Sequence, residues 1–233
     1  MILYSVSIPF PDGHCQGNLL RTHCRKLRVL EAFFFVFLAM SFIWIIKPMR
    51  NDWLSLPFLA GVVLIPFLSS YYHGDSLRDI GFRLDNFRSS AQSVGLFTLV
   101  AALFVMLIGF FAGSTLSLPL KSVVNFLTYP LWGLAQQYAM QGFIHKRLRE
   151  GLNNRYVAVI CTAGLFGIIH WPNPLLTAFT FFGGIAWCLF YDREPNLFTL
   201  AISHGILAVL VYYLGPEDWV RHLRIGPAYY TFH

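Results

Sequence analysis

QQYAMQG, residues 136–142, places three glutamines in a stretch that is otherwise typical of a membrane-spanning helix. Hydrocarbon offers no water to an amide, so each glutamine must find a protein partner or face a wet cavity. Gln137 and Gln141 are four residues apart and share a helical face, and Gln136 is about 100° around from Gln137. Two further polar residues, His170 and His204, lie in later apolar runs. We therefore expect the glutamines and these histidines to meet in one buried polar pocket.

The composition of the chain sets its structural class. The sequence is 56% hydrophobic and 12% charged, and it contains 23 phenylalanines. A soluble domain is typically about 25% charged, so a soluble all-α domain is the weaker alternative. We predict an all-α, polytopic membrane helix bundle. The net charge of +6 fits basic loops beside the bilayer, and no nucleic-acid partner is expected.

Hydropathy divides the chain into about seven predicted transmembrane helices, at about 29–46, 53–72, 91–112, 123 onward, 156–171, 175–191 and 197–214. The predicted regions are a basic cytoplasmic lead-in (1–28), N-terminal transmembrane helices (29–120), a core (121–214) and a tail (215–233). Segment 73–90 alternates apolar and charged residues. It is predicted to lie on the bilayer surface, with a docking surface for a partner as the alternative.

The distribution of basic residues predicts the orientation. The lead-in and the loops after the second, fourth and sixth helices hold 12 of the 17 Lys and Arg residues. This asymmetry places the N-terminus in the cytoplasm. The basic run that follows the glutamines, from His145 to Arg149, is expected to extend beyond the hydrocarbon and to lie among lipid headgroups. A short glycine pair, Gly183-Gly184, predicts close helix packing.

Helix geometry allows the polar residues to reach a common depth. Gln137 lies roughly 20 Å, and His170 roughly 24 Å, from the turn between their helices at 1.5 Å per residue. His204 lies roughly 12 Å from its own cytoplasmic turn, so helix tilt is needed to bring it level.

Two neutral imidazoles could bind zinc, polarise a carbonyl group or orient a water molecule. Zinc hydrolysis requires a third good ligand, and a glutamine amide oxygen is a poor one. We therefore expect no metal and no cofactor, and a zinc site at His170 and His204 is the disfavoured alternative.

The spacing of these residues resembles that of the CAAX-protease and bacteriocin-processing (CPBP, or Abi) family. Its transmembrane motifs are EExxxRGxxxxxL, FxxxH, and HxxxN or HxxxD. The first aligns with Gln136, Gln137, Gln141, Gly142 and Leu148, the second with Phe166 and His170, and the third with His204. Ala208 occupies the position of the expected Asn or Asp. The resemblance covers about residues 123–214.

The resemblance implies an intramembrane protease acting on a membrane-embedded or lipidated peptide, in a bacterial or archaeal cell membrane. It assigns catalytic positions to Gln136, Gln137, Gln141, His170 and His204. In the family the first Glu activates water, and the histidines and Asn hold the water or stabilise the oxyanion. Here an amide replaces that Glu, and losing a general base costs about 10² to 10⁴ in rate.

Three hypotheses follow from these departures. In the first hypothesis, the protein is an endopeptidase that uses His170 or His204 as the base, with Gln136 positioning water. Alternatively, it is a pseudoprotease that binds a hydrophobic peptide or membrane partner without cutting it. A transporter or channel is the third reading, although no inverted repeat is visible.

Overall fold

The computed structural model describes residues 18–114 and 120–231, and within these ranges every regular element is helical. The helices are α1 (Asn18–Ser41), α2 (Asp52–Tyr72), α3 (Phe87–Phe111), α4 (Leu120–Gln137), α5 (Lys146–Gly151), α6 (Arg155–Ile169), α7 (Pro174–Arg193), α8 (Leu197–Leu214) and α9 (Glu217–Val220). The all-α prediction is confirmed.

Two helices continue into wider π-helical turns. α1 passes into Phe42–Ile46 and a 3₁₀ turn at Lys47–Met49, and α4 passes into Tyr138–His145 before α5 begins. Such turns are rare and occur frequently at functional sites. The second π-helical segment contains Gln141 and directly follows Gln137, so it changes the direction of side chains within the first motif.

The chain is an integral membrane protein, because five described helices are long and apolar enough to cross a bilayer. They are His23–Met49, Asp52–Tyr72, Phe87–Phe111, Pro174–Arg193 and Leu197–Leu214. α6 is apolar but has only 15 residues, which makes it shorter than a typical hydrocarbon core. The predicted count of seven is therefore not confirmed.

Close contact between α4 and α8 brings the first and third motifs together. A β-carbon added at Gly133 would lie 2.8 Å from the Ala201 carbonyl oxygen, and one at Gly205 would lie 2.8 Å from the Pro130 nitrogen. Both distances are shorter than real β-carbon contacts, so each position needs glycine. α8 also packs on α3, and α6 packs on α7, where Gly184 faces Ala163 as its small size predicts.

Segment 73–90 forms turns over residues 73–86 and then the first turn of α3, and its apolar residues divide between the protein core and the exposed surface. Its place on the bilayer surface remains a prediction. Ile80 is 2% exposed and belongs to the core, whereas Leu77 and Leu84 are exposed. The Leu197 amide donates to the carbonyl of Gly81, whose φ of +91° favours glycine. The segment is therefore attached to the start of α8.

Two residues of the basic run after the glutamines, His145 and Arg147, lie inside the protein and not among headgroups, which corrects the sequence prediction for these two. His145 and Arg147 are 0% exposed. Arg147 contacts Asp75 (2.6 Å), Glu150 (3.1 Å) and Glu31 (3.3 Å), and we call these four residues the Arg147 cluster. Carboxylates from α1, from the turn after α2 and from α5 thus hold the arginine inside the protein. Sequence-distant partners, which local pattern does not reveal, explain the difference.

The chain after α8 folds back against the turn between α6 and α7. The Asn173 side chain donates to the carbonyls of Val220 (2.8 Å) and Arg224 (3.3 Å), and the Gly226 amide donates to the Trp171 carbonyl. The predicted tail therefore closes one end of the bundle.

Candidate active site

One cavity of about 750 Å³ contains three of the predicted site residues. Gln136, His170 and His204 all border it, as does Ala208. Most of its remaining wall is apolar and comes from α1, α2, α4, α6, α7 and the chain after α8. Gln136 thus borders the same, mostly apolar cavity as both histidines, whereas Gln137 and Gln141 do not border it.

Gln137 joins α4 to α8 through His204. Its Nε2 lies 3.2 Å from Nδ1 of His204, and Gln137 is fully buried. In this orientation the amide donates and Nδ1 accepts, so the neutral ring carries its hydrogen on Nε2. His204 borders the cavity, and this arrangement supplies a hydrogen-bond donor there.

The two ring nitrogens of His170 have the reverse of the roles they have in His204, because here Nδ1 donates. Its Nδ1 lies 2.8 Å from the backbone carbonyl of Phe166, in the last turn of α6. A carbonyl oxygen only accepts, so Nδ1 donates and Nε2 of the neutral ring keeps its lone pair. Nε2 has no hydrogen-bond partner among the described residues. His170 therefore offers the cavity a proton acceptor.

The ring of Phe166 lies beside both histidines. Its centroid is 4.8 Å from that of His170 and 6.0 Å from that of His204, with edge-to-face geometry in both cases. The first residue of the FxxxH motif thus supports both imidazoles, through its carbonyl and through its ring.

Gln141 lies away from the cavity. It is fully buried, and neither amide atom has a hydrogen-bond partner among the described residues. The Cys188 thiol of α7 lies beside its amide, outside ordinary hydrogen-bond geometry. Because Gln141 lies inside the π-helical segment, it does not follow the 3.6-residue spacing that would align it with Gln137.

Carboxylates lie elsewhere in the described part of the chain. Of the residues that border the cavity, none is Asp or Glu. Glu31, Asp75 and Glu150 contact Arg147, and Asp192 contacts His145 at 2.9 Å and Arg155 at 2.8 Å. The described residues that border the cavity therefore offer no carboxylate base, and the histidines are the candidates that the motifs single out.

Two cavity residues have no counterpart in the three motifs. Lys47 borders the cavity from the end of α1, and His222 borders it from the chain after α8. His222 also lies 2.9 Å from Glu217. Sequence reasoning missed both because neither residue lies in an apolar run, the signal that singled out His170 and His204.

The described residues bring no three His, Cys, Asp or Glu side chains together as metal ligands. The expectation that the site works without a metal remains a prediction.

The chain was compared with known proteins. Residues 116–210 match the family model described as Rce1-like, type II CAAX prenyl endopeptidase. No match to a curated protein or to a solved structure was found. The matched range contains Gln136, Gln137, Gln141, His170 and His204.

Proposed function

The match over residues 116–210 supports membership of the CAAX-protease and bacteriocin-processing family, and from this premise we propose that the protein is an intramembrane endopeptidase with an altered Gln/His pocket. The family suggests a CAAX-type, protease-like function. The observation that carries the proposal is the shared cavity of Gln136, His170 and His204.

In the proposed reaction, the Gln136 amide orients a water molecule and His170 accepts its proton at Nε2. The water oxygen forms a bond to the carbonyl carbon of the scissile peptide, whose oxygen becomes an oxyanion. The carbon–nitrogen bond then breaks, and the proton held by His170 passes to the leaving amine. The unpartnered Nε2 of His170 supports its assignment as the base.

His204 is assigned the role of oxyanion donor. Its Nδ1 is occupied by Gln137, which leaves the Nε2 hydrogen as the group that faces the reaction. Removing one oxyanion donor from a hydrolase costs about 10² to 10³ in kcat. Ala208 supplies no hydrogen bond where the family motif has Asn or Asp, so the site has one stabilising group fewer.

The cavity walls favour a substrate that arrives from the bilayer. Apolar side chains of α2 and α4 that border the cavity, such as Leu59, Leu131 and Trp132, are also exposed on the outside of the helix bundle. We propose a membrane-embedded or lipidated peptide as substrate, with the N-terminus of the protein in the cytoplasm as the basic residues predict.

The proposal is tested by cleavage of membrane peptides in lipid nanodiscs, followed by mass spectrometry. His170→Ala is expected to abolish cleavage, because it removes the Nε2 atom that is assigned to accept the proton of the water. The matched control is His23→Ala, at an exposed position near the start of α1. Cleavage that survives His170→Ala would overturn the proposed base.

The second candidate is a pseudoprotease that binds an apolar peptide or membrane partner without cutting it. It is favoured by the lack of a carboxylate among the described residues that border the cavity. The two candidates differ in one quantity, the cleavage rate of the wild type relative to a variant with a restored carboxylate.

A further inference from the structure

Behind His204, on the side away from the cavity, lies the indole ring of Trp187. The two rings are parallel, with centroids 5.0 Å apart and an interplanar angle of 5°. Trp187 is 4% exposed, and it is not among the described residues that border the cavity. It contacts the site through the imidazole of His204 and, edge to face at 6.5 Å, through the ring of Phe166.

The indole is itself fixed by a chain of hydrogen bonds across three helices. Nε1 of Trp187 in α7 donates to Oγ of Ser203 in α8 at 3.1 Å. A second hydrogen bond of 2.7 Å joins Ser203 Oγ to Thr98 Oγ1 of α3. Thr98 Oγ1 also lies 2.7 Å from the Val94 carbonyl oxygen. The orientation of the indole is thus set by its N–H group as well as by packing.

The His204 ring is held on three sides. One face contacts Trp187, an edge-to-face contact of 6.0 Å joins it to Phe166, and Nδ1 is 3.2 Å from the Gln137 amide. Rotation of the imidazole would separate the parallel rings and break the hydrogen bond to Gln137. The side that stays open is the Nε2 side.

We propose that Trp187 is a positioning residue, whose stacked indole holds the His204 imidazole so that Nδ1 meets Gln137 and Nε2 faces the cavity. The effect of Trp187 on kcat rests on the proposed function, whereas its effect on the His204 ring does not. The orientation and tautomer of His204 are properties of the protein without substrate.

The test is NMR of protein containing ¹⁵N-labelled histidine, in lipid nanodiscs. The His204 signals are identified by their loss in His204→Gln. In the wild type we expect one tautomer, with Nε2 protonated. Trp187→Phe keeps an aromatic face but loses the hydrogen bond to Ser203, so it should shift the His204 signals less than Trp187→Leu does. Trp187→Leu should shift the Nδ1 signal towards the average of two tautomers. Trp219→Leu, at an exposed tryptophan, is the control and should change nothing.

Unchanged His204 signals in folded Trp187→Leu would overturn the proposal. If that variant does not fold, Ser203→Ala removes the acceptor of the indole N–H, and it should shift the same signals. Unchanged signals there would also overturn it.

If cleavage is observed, Trp187→Leu should lower kcat by up to about 100-fold with KM unchanged. A lower kcat with unchanged His204 signals would contradict positioning. The NMR result does not depend on cleavage, so it is separate from the test of His170.

Discussion

Gln137 and Gln141 are both fully buried, but their amides meet different surroundings. Nε2 of Gln137 is hydrogen-bonded to His204 and only its Oε1 is without a partner, whereas both amide atoms of Gln141 have no partner among the described residues. A buried polar group without a partner costs free energy, while a paired one contributes a little. The same substitution should therefore have opposite effects at the two positions.

Gln141→Leu is expected to raise the free energy of unfolding by about 1 kcal/mol, because it removes unpaired polar atoms at nearly constant volume. Gln137→Leu should lower it by about 1–3 kcal/mol, because Nδ1 of His204 then loses its partner. Denaturant unfolding in mixed micelles measures both. If Gln141→Leu instead eliminated cleavage with stability intact, Gln141 would have the catalytic role that its motif position predicts.

At the residue scale, the sequence alone predicted that polar side chains in apolar helices would meet. Hydrocarbon gives such groups few alternatives, so Gln136, His170 and His204 were identifiable from their surroundings. The hydrogen-bonding polarity of each histidine was not predictable. It depends on the Phe166 carbonyl and the Gln137 amide, whose positions are set by tertiary packing.

At the scale of helices, the contact between α4 and α8 determines whether the site can form. Gly133 and Gly205 each face the backbone of the other helix at 2.8 Å. Backbone atoms cannot move aside as flexible side chains can, so a methyl group at either position would push the helices apart.

Gly133→Ala and Gly205→Ala are each expected to lower the free energy of unfolding by about 1–3 kcal/mol, as overpacked core substitutions do. Each should also lengthen the distance from Gln137 to His204 and reduce cleavage. Gly164→Ala in α6 is the matched control, because nothing lies within 4 Å of its added β-carbon. Thermal unfolding of the three variants compares them. Equal stability of all three would contradict the close packing of α4 and α8.

Hydropathy predicted most helices but not their irregular turns. The π-helical segment Tyr138–His145 has no sequence signal of its own, since its residues fit an ordinary helix. It is nevertheless the feature that separates Gln141 from the cavity. The alternation of apolar and charged residues in segment 73–90 predicted an interfacial position but did not specify the turns that residues 73–86 form.

At the scale of the whole molecule, the Arg147 cluster joins distant parts of the chain through ion pairs. Its carboxylates come from α1, from the turn after α2 and from α5, and Arg147 is 0% exposed. Removing one partner of a buried ion pair leaves uncompensated charge in a low-dielectric environment.

Arg147→Met is expected to lower the free energy of unfolding by about 3–5 kcal/mol, because three carboxylates lose their shared partner. The control is Arg78→Met. Arg78 pairs with Asp85 at 2.8 Å, but its side chain is 66% exposed, so the expected change is about 0–1 kcal/mol. Denaturant unfolding measures the difference between the two. Similar losses would show that the cluster does not stabilise the fold.

Composition predicted the membrane class because 12% charged residues cannot cover a soluble domain of this size. It gave no indication that the chain after α8 returns to border the cavity. That return depends on contacts such as Asn173 with Val220, which are 47 residues apart and leave no periodic signal.

The central proposal is that the protein cleaves membrane peptides with His170 as the base and with a neutral Gln136 at the position where the family motif has a carboxylate. The most direct measurement is the cleavage rate of wild type and of Gln136→Glu combined with Ala208→Asn, on the same membrane peptide. We predict slow, His170-dependent cleavage by the wild type and a rate about 10² to 10⁴ higher in the variant. Cleavage by the variant alone would favour the pseudoprotease. A wild type that cleaves as fast as the variant would contradict the proposal.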